Sequence, residues 1–163
     1  MPRPAEYENL IKTRALEAVQ PTPGAVAGFL KNAESFLALS RALLAGAPLA
    51  TEPMQVFTNA YEGYHQVVQA VLEFYEVRTK EAGRAMAIQR VSADLKLSNP
   101  EMAAIIRAHG RRNDTSYRSP FPPLSKADAA TMVAILEKYL PVARALTDPA
   151  NTPNATMRLR TDE

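Results

Sequence analysis

Large apolar and aromatic residues recur at three-and-four spacing from Phe57 through Tyr61, Tyr64, Val68, Val71 and Leu72 to Tyr75. A strand alternates its faces every second residue and cannot gather these positions on one side, whereas a helix does so over five turns. The pattern therefore predicts a long helix from about Thr51 or Glu52 to near Lys80 with its aromatic stripe in the core. Gly63 is placed to admit a close neighbour, and His65, one residue off the stripe, should lie on the surface or at the core edge.

Shorter helical patterns flank this one. Residues 2–19 read as a first helix, with Glu6 and Glu8 at the N-terminal end and Tyr7, Leu10, Ile11, Ala15 and Val19 near one side. Thr22 and Pro23 supply a cap and a first position for a second helix, whose apolar face includes Leu30, Ala33 and Leu43 before Gly46-Ala47-Pro48 ends it. The charged stretch Glu76 to Arg84 predicts a turn near Gly83. A short helix, Ala85 to Leu95, should follow, with Met86, Ile88, Val91 and Leu95 inward and Arg84 and Arg90 outward.

Ser98, Asn99, Pro100 and Glu101 have the make-up of a capped helix start, and the run Ser119-Pro120-Phe121-Pro122-Pro123 stops that helix. Ser125 and Asp128 open the last helix, with Met132, Val133, Leu136, Tyr139 and Leu140 on its buried side and Pro141 as a kink or break. No stretch reads as a strand. The expected fold is all-α, an antiparallel helical bundle of five to six helices, forming one domain over residues 1–146. Residues 147–163, poor in large apolar groups, read as a flexible tail.

Composition removes several kinds of chemistry. The chain has no cysteine, so disulfides and thiolate sites are excluded, and two histidines, His65 and His109, are too few for a multi-histidine metal site. No metal and no cofactor are expected. With no apolar run of about 18 residues and no basic-then-apolar leader, the protein is expected in the cytoplasm without a membrane partner. A net charge of +2 does not by itself mark a nucleic-acid binder; what counts is where the charges cluster.

They cluster between Ile105 and Arg118. On a helix, Arg107, Arg111, Asp114 and Arg118 share one basic edge, and His109, Arg112, Asn113 and Ser116 form a neighbouring polar one. A solvated face, its arginines paired with Asp114, would account for the charges. Two details point instead to a crevice or interface. Gly110 sits mid-helix, where it costs roughly 1 kcal/mol relative to alanine and suggests close approach of another backbone. Polar groups also continue the apolar stripe of Met102, Ile105 and Ile106.

Arg112-Asn113-Asp114-Thr115-Ser116-Tyr117 resembles the signature helix of HEPN domains, small all-helical proteins associated with RNA cleavage and toxin–antitoxin pairs. That signature is an arginine, a polar follower and, a few residues on, a histidine. The chain is similar to the version reading Arg-Asn-Asp, two residues, Tyr, a proline-bearing loop and a final helix. The likeness runs from Arg112 to Pro123 with Ser125 to Leu146 as the last helix, and more weakly over Ala25–Leu44 and Asn59–Arg78. It implies an HEPN-like bundle and a homodimer whose signature helices face one another. Arg112 would clamp a phosphate oxygen, Asn113 would support it, and Tyr117 stands where the histidine belongs.

That replacement bears on function. A tyrosine with a pKa near 10 is a poor general base, which leaves His109, three residues before Arg112, as the base. The expected catalytic group is Arg112, Asn113, Tyr117 and His109, with Arg107, Arg111, Arg112 and Arg118 as the RNA- or phosphate-binding edge. The first functional reading is a module of a toxin–antitoxin or stress-defence system that lacks efficient catalysis. It would bind RNA, a nucleotide or a partner such as a nucleotidyltransferase-like antitoxin. The alternatives are a metal-independent endoribonuclease with a composite site at the dimer interface, and a helical scaffold in which Arg112 and Asn113 merely tie helices together.

Overall fold

The structure, a computed structural model, describes residues 3–46, 52–117 and 123–151. The aromatic stripe forms helix α3, Pro53–Phe74, in which Phe57, Tyr61, Tyr64, Val68, Val71 and Leu72 are all buried. Each such side chain contributes roughly 1.5–3 kcal/mol when removed from water, so α3 is the element on which the others assemble. It follows α1, Ala5–Lys12, and α2, Ala25–Leu44, and precedes α4, Arg84–Asp94, α5, Asn99–Tyr117, and α6, Lys126–Leu146. Helices α2, α3 and α6 pack together as the main core, and α4 and α5 close the remaining side of α3.

Gly63 allows that core to close. A Cβ there would stand 2.6 Å from Leu136 Cδ2 on α6 and 2.8 Å from Phe36 Cβ on α2, so the two helices approach α3 where it has no side chain. The last helix starts as its sequence predicts. Ser125 Oγ accepts from the Asp128 amide at 3.0 Å while the Asp128 carboxylate accepts from the Ser125 amide at 3.0 Å, a reciprocal capping box.

Several sequence expectations are corrected. The first helix does not span residues 2–19 but stops at Lys12, and Leu16–Ala18 is a strand, β1. The long helix likewise ends at Phe74 rather than near Lys80, and Val77–Thr79 forms β2. The strands pair antiparallel, Leu16 with Thr79 and Ala18 with Val77, so a small sheet stands where no strand was expected. Glu17 and Arg78 face each other across it in an ion pair of 2.7 Å. Both helices end just before Arg14 and Glu76 take left-handed backbone conformations, φ 62° and 58°, without the customary glycine.

Four smaller corrections follow. Gly24, not Thr22, caps α2. In α4 the inward face is Ala87, Ile88, Val91, Ser92 and Leu95, so Met86 is exposed. Arg90, expected outward, turns in to Asp94 at 2.5 Å, and Asp94 also accepts the buried Tyr7 hydroxyl at 2.5 Å. Finally, α6 runs unbroken through Pro141. That residue is exposed, so water can serve the carbonyl its ring cannot reach. Beyond α6, Thr147 is buried and Pro149–Asn151 makes a turn of 3-10 helix.

Candidate functional site

The β1–β2 pairing decides what faces α5. Lys80 N donates to Ala15 O at 3.1 Å, and a Cβ on Gly83 would lie 1.9 Å from that same oxygen, so the turn after β2 is pressed onto Ala15. Only glycine permits so close an approach of two backbones. The turn is thereby held beside α5, and a polar cleft of about 420 Å³ opens between them. Lys80, Glu81 and Arg84 line it from one side and His109 and Asn113 from the other.

His109 is held from beneath. The Tyr61 hydroxyl on α3 lies 2.7 Å from His109 Nδ1. Burial pushes the Tyr61 pKa up to about 12, with Glu62 adding to the rise and Arg84 and Arg112 opposing it, so the phenol keeps its proton. Burial, then the positive charge of Arg84 and Arg112, lowers the pKa of His109 and favours the neutral ring. Among the described residues neither the Tyr61 hydroxyl nor His109 Nε2 has another hydrogen-bond partner. When the phenol donates to Nδ1, the ring proton sits on Nε2. In this tautomer the neutral His109 ring offers Nε2–H as a hydrogen-bond donor.

Arg112 is not open to the cleft in the same way. Its Nε and Nη2 both donate to Glu62 Oε1 on α3, at 3.2 Å and 3.0 Å. The pair ties α5 to α3. His65, one turn from Tyr61, is buried rather than superficial, and its Nε2 lies 3.3 Å from Gln69 Nε2. Burial, then Arg84, lowers its pKa to about 4.

No family model matches the chain, and no curated protein matches it.

The structure divides the arginines that the sequence placed on one edge. Arg107 and Arg111 lie on the opposite flank of α5 from His109 and Asn113, in a separate hollow against α6. The geometry is that of the helix itself: positions 107 and 109 are two residues and about 200° apart. Among the described residues a Cβ on Gly110 would meet nothing within 4 Å. Tyr117 ends α5, but its side chain and all of Arg118 lie outside the described residues.

Three contributors were not read from the sequence. Lys80 and Arg84 were taken as parts of a charged turn and an outward face, and their approach to α5 depends on a long-range strand pairing. Glu62 carried a usable signal, because a carboxylate beside the aromatic stripe on a core helix requires a partner.

Proposed function

We propose that this chain is an HEPN-like module that binds RNA or another phosphate-bearing ligand in the cleft between Lys80, Arg84, His109 and Asn113, without efficient catalysis. The observation that carries the reading is the convergence there of two cations, an Nε2–H donor and an amide. Cations attract the phosphate backbone whatever its sequence, and the neutral donors give direction. The Arg112–Glu62 pair also supports binding over cutting, since the family arginine already serves a carboxylate. A homodimer through α5 agrees with the exposure of Ile106 and Gly110 on that helix. The toxin–antitoxin setting, with a nucleotidyltransferase-like partner, rests on the HEPN resemblance alone.

The endoribonuclease reading is favoured by one feature, the neutral His109 placed in a cationic cleft, where it offers a hydrogen bond to a phosphate or leaving oxygen. The scaffold reading is favoured by the tie between Arg112 and Glu62.

Fluorescence anisotropy with labelled single-stranded RNA of mixed sequence, with and without EDTA, separates the three. The binding module requires affinity that falls steeply with salt, drops about tenfold in Lys80→Ala/Arg84→Ala, and leaves the RNA intact. EDTA-resistant cleavage lost in His109→Ala and Arg112→Ala would replace it with the nuclease. An absence of salt-sensitive binding leaves the scaffold.

A further inference from the structure

The hollow on the other flank of α5 has a different character. It is bounded by α3, α5 and α6, has a volume of about 240 Å³, and is more enclosed than the cleft. Phe57, Leu124, Met132 and Ile135 form buried apolar walls. Arg107 and Arg111, one turn apart on α5, line the same space.

An acid, Asp128, shares the hollow with these arginines, and its carboxylate is already engaged. It accepts from the Ser125 amide at 3.0 Å and from Ser125 Oγ at 2.7 Å. These bonds, more than the attraction of Arg111 and Arg107, hold its pKa below the ordinary value. Among the described residues Arg107 forms no ion pair. A guanidinium at the edge of an apolar hollow, lacking a carboxylate of its own, is complementary to an anionic head on an apolar body.

Size and wall chemistry narrow the ligand. A cavity of roughly 150 Å³ holds benzene, so the hollow has room for one ring and a short charged substituent. Phe57 can pack edge-to-face on a ring, and the Met132 thioether favours an aromatic neighbour. The Asp128 carboxylate, which also lines the space, repels a dianion more strongly than a monoanion. We propose that this hollow binds a small aromatic monocarboxylate, its ring against Phe57 and Met132 and its carboxylate on Arg107. The site is separate from the polar cleft and does not depend on RNA binding.

Isothermal titration of the full chain with phenylacetate, phenylacetamide and phenyl phosphate tests this. Phenylacetate should bind saturably, and phenylacetamide about tenfold more weakly, a difference of about 1.4 kcal/mol. Arg107→Gln should weaken phenylacetate by a similar factor and leave phenylacetamide unchanged. Thr131→Phe, at an exposed position lining the hollow, should abolish binding of both while the circular dichroism melt remains cooperative. Equal affinity for acid and amide, tighter binding of phenyl phosphate, or no saturable binding of phenylacetate at several millimolar would overturn the proposal. So would full binding by a folded Thr131→Phe protein.

Discussion

Arg112 on α5 holds Glu62 on α3 through two nitrogens of its guanidinium, with the two side chains 19% and 28% exposed. A pair this sheltered is screened less than a surface ion pair, and losing one member leaves the other poorly solvated. Arg112→Ala should therefore destabilise the fold by about 1–3 kcal/mol in urea denaturation. Adding Glu62→Gln to that variant should recover part of the loss. Strict additivity in this double-mutant cycle would mean that the two side chains do not support each other.

The Tyr61–His109 bond makes a prediction about a proton. In long-range proton–nitrogen NMR spectra at neutral pH, His109 should appear as the Nε2–H tautomer, with Nδ1 accepting from the phenol. Tyr61→Phe should cost about 1 kcal/mol and spread the proton over both ring nitrogens. A wild-type His109 protonated on Nδ1 would reverse the donor assignment and return the ring to a possible base.

Stability should depend on pH through His65. Its folded-state pKa, about 4, lies below the ordinary 6.5 because the ring is buried. Between these values the unfolded chain binds a proton that the folded chain refuses. Stability thus rises with pH across this window and is lost as pH falls through it, by up to about 3 kcal/mol. The lowered pKa of His109 acts in the same direction. His65→Gln should flatten the dependence measured by chemical denaturation between pH ~4.5 and ~6.5; parallel curves for variant and wild type would refute the assignment.

Two glycines should respond oppositely to the same change. Gly83→Ala drives a methyl group to within 1.9 Å of the Ala15 carbonyl oxygen. Since that neighbour is backbone, the variant should lose about 2–4 kcal/mol and disturb the cleft with it. Gly110→Ala meets nothing within 4 Å on an exposed face of α5, and the monomer should gain about 1 kcal/mol from helix propensity. Thermal melts of the two proteins shifted in the same direction would contradict this contrast.

The residues that announced themselves were those whose neighbours are close in sequence. The aromatic stripe of α3 follows from helical period alone, and so does the Ser125–Asp128 capping box, whose groups lie three residues apart. Lys80 and Arg84 gave no comparable signal, because what makes them part of a cleft is a strand pairing some sixty residues away in the chain. Helical period already separated Arg107 and Arg111 from His109 and Asn113, but what each flank of α5 faces required knowing where α3, α4 and α6 pack.

By itself, then, the sequence determined the helical class, the buried face of α3 and the caps that start α5 and α6, since period and local hydrogen bonding act within a few residues. Tertiary structure decided where α1 and α3 stop. Arg14 and Glu76 accept a left-handed backbone because β1 and β2 recover the hydrogen bonds just beyond them. It also decided that Arg112 would meet Glu62, and that Lys80 and Arg84 would stand over His109. Those encounters are set by long-range packing, which local spacing does not encode.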